Sequence, residues 1–324
     1  MDFDENVLSK VREQAKWVTE RATQVSINHD KIKDYALGLP LQQIVNPPLD
    51  PEAHYLDKKE DTLAFFLTLE SINFGSGFFP FLEQEIKESG YFTIARALTQ
   101  HFRADGPIPA ADLATISAEA CASIFQQSTK HPAMQRLMQL FATALNQLGD
   151  FLIRHFNGEF TSLILAAENS AVKLVQLLLQ IPYFQDISTY QARAIPILKR
   201  AQITAADLSL AFQNSGLGYF KDLDQLSIFA DNMLPHVLRT DGIFSYSDAL
   251  QYKVDHQYLI APDSTEEVEM RASAIHAVEL IKEVLLREGH AIRSIDLDYL
   301  LWNLGLSSKY QSHSNLHLTQ TIFY

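Results

Sequence analysis

Apolar residues recur at intervals of three and four along most of this chain, and that spacing commits it to helices. In "EVEMRASAIHAVELIKEVLLREG", Ile275, Val278, Ile281 and Leu285 fall on one face. Ser264 and Glu267 stand at its start with the spacing of a capping box. The pattern repeats in "ENVLSKVREQAKWVTERA", "DTLAFFLTLESI", "YFTIARALTQHF", "PAADLATISAEACASIFQ", "AMQRLMQLFATALNQLGDFLIRHF", "SLILAAENSAVKLVQLLLQI" and "ARAIPILKRAQITAADLSLAF". Only "YFQDISTY" and the tail "LHLTQTIFY" read as short extended pieces. The breaks, such as "LPLQQIVNPPLDPEAHY", "RADGPIP" and "LIAPDST", are too short for domain linkers. No internal repeat is visible. The expectation is an all-α fold, a single compact multi-helix domain over residues 1–324.

Charge narrows the partners. The 324 residues carry a formal net charge of -13. Duplex nucleic acid and anionic membranes are held by clustered Lys and Arg, so a stable nucleic-acid partner and polybasic membrane docking are not expected. The opening "MDFDENVLSK" lacks the apolar segment of a secretory signal, and runs such as "LVQLLLQI" are too short to span a bilayer. The one cysteine, Cys121, lies among small apolar residues and reads as packing. It leaves no internal disulfide and no multi-cysteine metal site. The expected setting is the cytoplasm.

Several common chemistries lack their motifs. "GSGFF" and "GLGYF" lack the third glycine of a dinucleotide fingerprint, and no P-loop or HExxH helix occurs. His313 and His317 are four apart but lie in a polar tail. His29-Asp30 is the doublet used by some helical metal phosphohydrolases, without an evident companion cluster. No metal or other cofactor is expected.

Four stretches place polar groups among aromatics inside apolar segments. In "ESINFGSGFFP", Glu70 and Asn73 precede Phe74 and a Gly75-Ser76-Gly77 turn, where glycine lets backbone approach a ligand closely. The plain alternative is a helix end with a hydrophobic plug. In "LKRAQI", adjacent Lys199 and Arg200 diverge by about 100° on a helix, so that one faces inward and the other solvent. In "DQLSIFADNMLPHVL", Phe229 and Asp231 read as part of one apolar helix with Leu226, Ile228 and Leu234; the acid faces either solvent or a pocket. In "IDLDYLLWNLG", Asp298 and Tyr299 sit among leucines, with Tyr299 and Trp302 on one face.

With "EVEMRASAIHAVELI", these stretches in this order resemble the queuosine salvage proteins, which are queuosine 5′-phosphate N-glycosylase/hydrolases. The resemblance runs from "VREQAKWVTERATQVSINHDKI" to "TIFY". It implies an all-helical fold distantly similar to the helix-hairpin-helix DNA glycosylases. It implies as substrate a small molecule, queuosine 5′-monophosphate, from which water releases queuine for tRNA modification. The chain departs from the family's usual residues at Asn232-Met233, at Pro235-His236 and at Gln320, where an arginine is expected.

The chemistry assigns roles. N-glycosidic cleavage builds positive charge on the sugar, and a fixed carboxylate stabilises it and orients or deprotonates water. Asp231 takes that role. Lys199, by resemblance the lysine near the site, contacts phosphate or a sugar oxygen. Phe74 and Phe229 stack on the base. Asn73, Glu70 and Asp298 read its guanine-like edge or its aminomethyl cation, and Tyr299 joins them in binding. His29 and His236 are sugar or phosphate contacts or structural groups. Two rivals remain: a helical nucleotide-binding module without turnover, and a metal-dependent phosphohydrolase built on His29-Asp30.

Overall fold

The helix Thr265–Arg287 is the spine of the structure, a computed structural model that describes residues 7–44, 49–83, 89–313 and 315–324. The first six residues, residues 45–48 of the "LPLQQIVNPPLDPEAHY" break and the side chain of His313 lie outside the described residues. The expected stripe of Ile275, Val278, Ile281 and Leu285 is buried, and so are the polar Glu267, Glu269, Arg271 and Ser273. Each of those four polar residues needs a partner, because an unpaired buried polar group is costly. Glu269 finds the backbone N–H groups of Thr23, Gln24 and Val25 and the Tyr190 hydroxyl. The helix start is capped as its sequence predicts on one side: Ser264 Oγ accepts from Glu267 N at 3.3 Å. The return contact falls one residue earlier, with Asp263 N donating to Glu267.

Fifteen α-helices occur among the described residues. Val7–Thr19, His29–Gly38, Met233–Thr240 and Ser294–Gly305 pack on the spine. A second long helix, Pro132–Phe156, gathers Lys59–Ser71, Ala110–Leu113, Ala118–Ile124 and Phe160–Ala166. Lys199–Ala211 packs on Lys59–Ser71 and on Ala171–Leu178. No helix among the described residues is long and apolar enough to cross a membrane.

Among the described residues four short strands form two antiparallel pairs. Val25–Ile27 pairs with Phe244–Tyr246, with Val25 opposite Tyr246. Ile187–Tyr190 pairs with Arg193–Pro196. The first of these lies in the expected "YFQDISTY", but "ARAIP" was expected to be helical. Gln191 and Ala192 both adopt positive φ, turning the chain into a hairpin before the helix begins at Lys199. The tail forms no strand, and one isolated bridge joins Leu318 to Leu259.

Three expected helices are interrupted. "PAADLATISAEACASIFQ" forms two, because Ser117 caps a new start by accepting from Ala120 N. "SLILAAENSAVKLVQLLLQI" also forms two, broken by positive φ at Glu168 and Asn169 and restarted by Ser170. The segment holding Phe229 and Asp231 is not helical; the helix begins at Met233. Phe229 N–H bonds across to Asp298 Oδ1 at 2.8 Å, so a long-range carboxylate displaces a local helical bond. Pro235 then falls in the first turn, where its missing N–H costs nothing.

Candidate active site

A cavity of about 500 Å³ is lined from the end of the Lys59–Ser71 helix and from the helices Lys199–Ala211 and Ser294–Gly305. Lys199, Ile203, Asp207 and Leu210 supply one wall, spaced four, four and three along one helix and therefore on one face. Asn73 and Phe74 come from the end of the Lys59–Ser71 helix, and Phe229 and Asp231 from the extended segment. Asp298, Tyr299 and Trp302 come from the Ser294–Gly305 helix.

Carboxyl groups outnumber cations inside. Lys199 Nζ donates to Asn73 Oδ1 at 3.0 Å and to Asn73 O at 3.1 Å. Asn73 Nδ2 donates in turn to Glu70 Oε2 at 2.8 Å. Among the described residues Glu70 Oε1 receives no bond from an N–H or hydroxyl, and the Glu70 carboxyl lies beside that of Asp207. Burial first, then the Asp207 charge, holds Glu70 well above the usual carboxylate range. Burial pushes Asp207 up to about 6, while the Tyr299 hydroxyl and Glu70 oppose the rise. Burial is the largest cause of both shifts, and the contact between the two carboxyls adds to the rise at Glu70 and opposes it at Asp207.

A second pair lies beside the lysine. Burial and then the Asp231 charge raise Asp298 well above its ordinary value. Burial raises Asp231 too, while the Lys199 ammonium and the Met233 N–H favour its charge. Its Oδ1 accepts that N–H at 2.7 Å, which ties the carboxylate to the start of a helix. Lys199 is lowered by burial and held up first by Asp231, then by Glu70. Burial thus favours the proton on Glu70 and Asp298, while Lys199 and the Met233 N–H favour the charge on Asp231. Neighbouring carboxyls with separated proton affinities are the arrangement that acid–base chemistry uses.

The sequence profile of the family described as "Queuosine salvage protein" matches residues 53–324. The chain belongs to the queuosine salvage protein family. It is 34% identical to the queuosine 5′-phosphate N-glycosylase/hydrolase of Sphaerobacter thermophilus, covering 95% of each chain. The protein of the same name from Dictyostelium discoideum is 30% identical over 98% of this chain and 100% of its own. That from Mus musculus is 29% identical over 97% and 98%.

Within this member of the family, Asp231, Lys199, Asn73, Phe74, Phe229, Asp298 and Tyr299 meet in the one cavity. Glu70 stands directly behind Asn73 rather than in the wall. His29 and His236 are elsewhere. His29 and Asp30 are exposed at the start of the helix His29–Gly38, outside the cavity, and among the described residues no group of three or more His, Cys, Asp or Glu is placed to hold a metal. His236 is buried, with Nε2 2.9 Å from Tyr310 O, and ties two helices together. His317 is also buried, against the Tyr324 hydroxyl. Arg200 is not solvated: its guanidinium lies between the Phe74 and Phe184 rings and donates to Ser71 O and Tyr183 O. Both cations of the Lys-Arg pair therefore face inward. The Gly75-Ser76-Gly77 turn receives the chain's own tail. A Cβ on Gly77 would fall 2.3 Å from Thr319 O, and Gly75 N–H donates to Tyr324 O.

Sequence reasoning missed Asp207, Asn232, His54, Tyr91 and Tyr324 in the lining. Asp207 had a readable signal, its four-residue spacing from Ile203 and eight from Lys199. His54 had none: it is held between Asp50 O and the Tyr91 hydroxyl, and burial lowers its pKa.

Proposed function

We propose that this chain hydrolyses the N-glycosidic bond of queuosine 5′-monophosphate and releases queuine for reuse in tRNA modification. One observation carries the reading: a carboxylate, an ammonium and proton-holding acids converge in a cavity walled by Phe74, Phe229, Tyr299 and Trp302. The relatives that match nearly the whole chain bear the corresponding name.

Aromatic walls accept a planar base, and the Asp231 carboxylate meets the cation that develops at C1′ as the base leaves. The water oxygen bonds to C1′, the C1′–N electron pair departs with the base, and a water proton passes to Asp231. Queuine is a 7-deazapurine and has no N7 to protonate. The Asp298 carboxyl, whose proton affinity burial and the Asp231 charge raise, supports proton delivery at another position of the departing base. Lys199 balances the acids and keeps Asp231 ionised, a role favoured by its place among carboxyls over that of a lone phosphate contact.

In this reading residues 1–324 form one catalytic domain whose helical architecture is distantly akin to the helix-hairpin-helix DNA glycosylases. The enzyme works in the cytoplasm on a free nucleotide, without a stable nucleic-acid partner; the net charge of -13 supports that choice. Incubation with queuosine 5′-monophosphate, with mass detection of queuine and ribose 5-phosphate, tests it. Tight binding without queuine would indicate a binding module, and free inorganic phosphate would indicate a phosphohydrolase.

A further inference from the structure

Two fully buried residues outside the cavity hold both ends of its charge pair. Arg271, on the spine helix, donates Nη1 to Asp186 Oδ1 at 2.9 Å and Nη2 to Asp186 Oδ2 at 2.7 Å. Its Nε donates to Ala230 O at 2.8 Å, the carbonyl immediately before Asp231. Asp186 Oδ2 also accepts Lys199 N–H at 3.0 Å, and Asp186 O accepts from Ile197 N and Leu198 N. Leu198 is left-handed, with φ 58°, a conformation that costs free energy for a branched side chain and persists only where neighbours enforce it. Asp186 is that enforcement, and the strained residue aims Lys199.

We infer that the Asp186–Arg271 ion pair is the positioning device of the site, fixing the separation between the Lys199 ammonium and the Asp231 carboxylate. The inference rests on the proposed hydrolysis for its kinetic consequence. Stability alone is a poor reason to keep such a pair, since apolar residues of similar volume often replace a buried ion pair without loss. What apolar residues cannot do is grip two backbone segments at once. A planar guanidinium with divergent donors can, reaching Asp186, Ala230 O and Glu267 Oε1 together, and an ammonium, as a point donor, cannot reach the same set.

The test uses the full chain with Arg271→Lys and with the triple replacement Arg271→Met, Asp186→Leu, Glu267→Gln, the second chosen because Glu267 Oε1 also accepts Arg271 Nη1 at 3.3 Å and would otherwise be left a lone buried carboxyl. In each folded variant, kcat should fall about ten- to a hundredfold, the cost of a small misplacement of reacting groups, while KM changes little. An activity-independent readout accompanies it: acylation of Lys199 by a water-soluble amine reagent, followed by peptide mass spectrometry. Lys199 faces the carboxyl groups of Asp231, Glu70 and Asp298 and the Arg200 guanidinium. Displacing Asp231 removes the largest influence that keeps the amine protonated, so labelling at fixed pH should be faster in the variants. A folded variant with wild-type kcat and wild-type labelling overturns the inference. If the wild-type protein releases no queuine, the proposed activity fails, and the labelling alone decides the positioning role.

Discussion

Tyr299 donates its hydroxyl to Asp207 Oδ1 across 2.5 Å. The bond steadies an acid that burial has pushed up to about 6. An acid with a raised folded pKa favours the native state fully below its unfolded value. That contribution is lost as pH rises through the folded one. The loss is on the order of 3 kcal/mol between pH 4 and pH 7. Asp207→Asn keeps an acceptor for Tyr299 and brings an N–H toward Glu70 Oε1, which lacks one. Its melting temperature is expected to exceed that of the wild type at pH 8 and to approach it near pH 4.5. Equal differences at both pH values would contradict this.

Asp231→Asn should leave the fold intact, because the amide oxygen can still accept the Met233 N–H. Burial disfavours the Asp231 charge, so the melting temperature at pH 7 should be unchanged or higher. Queuine release in a single turnover is expected to drop by about 10²–10³, the usual cost of losing such an electrostatic group, with substrate affinity retained. A folded variant close to the wild-type rate would remove Asp231 from the chemistry.

Lys199→Ala takes away the cation that opposes the rise of Asp231. The carboxylate then protonates at higher pH, so the acid limb of the kcat/KM profile should move upward. Activity at neutral pH should fall about ten- to a hundredfold, the worth of a charged interaction of about 1.5–3 kcal/mol. The loss should be similar on the 5′-phosphate and on the nucleoside. A loss confined to the 5′-phosphate, with an unmoved acid limb, would instead make Lys199 a phosphate ligand.

His29→Ala is expected to leave turnover unchanged, since His29 is exposed and outside the cavity. EDTA is expected to have no effect, and inorganic phosphate to stay at background. Activity abolished by chelation and restored by zinc or manganese would return the His29-Asp30 doublet to consideration.

Much of this was legible in sequence because helical periodicity and cavity lining obey the same geometry. The stripe on Thr265–Arg287 was readable from spacing alone, and the resemblance brought Lys199, Asp231 and Asp298 to attention together. Spacing misled where distant residues decide local conformation. Phe229 and Asp231 look helical until Asp298, 69 positions away, claims the Phe229 N–H. Arg200 looks like a surface cation, and only the folded arrangement supplies the Ser71 and Tyr183 carbonyls that it satisfies. His236 has the pattern of a site residue, but its neighbour in space is a backbone carbonyl 74 positions away. The Asp186–Arg271 pairing spans 85 positions and has no local signature.

That span also governs how the site comes into being. The Lys199 amide rests on Asp186, and Asp186 on a guanidinium brought from the spine helix, so no short fragment carries a working version of the site. The Lys199 amide proton should exchange with solvent only through the largest opening of the chain, at the slow end of the protein's range. A nucleotide bound in the cavity draws on contacts spread over the whole structure, so it should raise the stability of the entire chain, not of one loop.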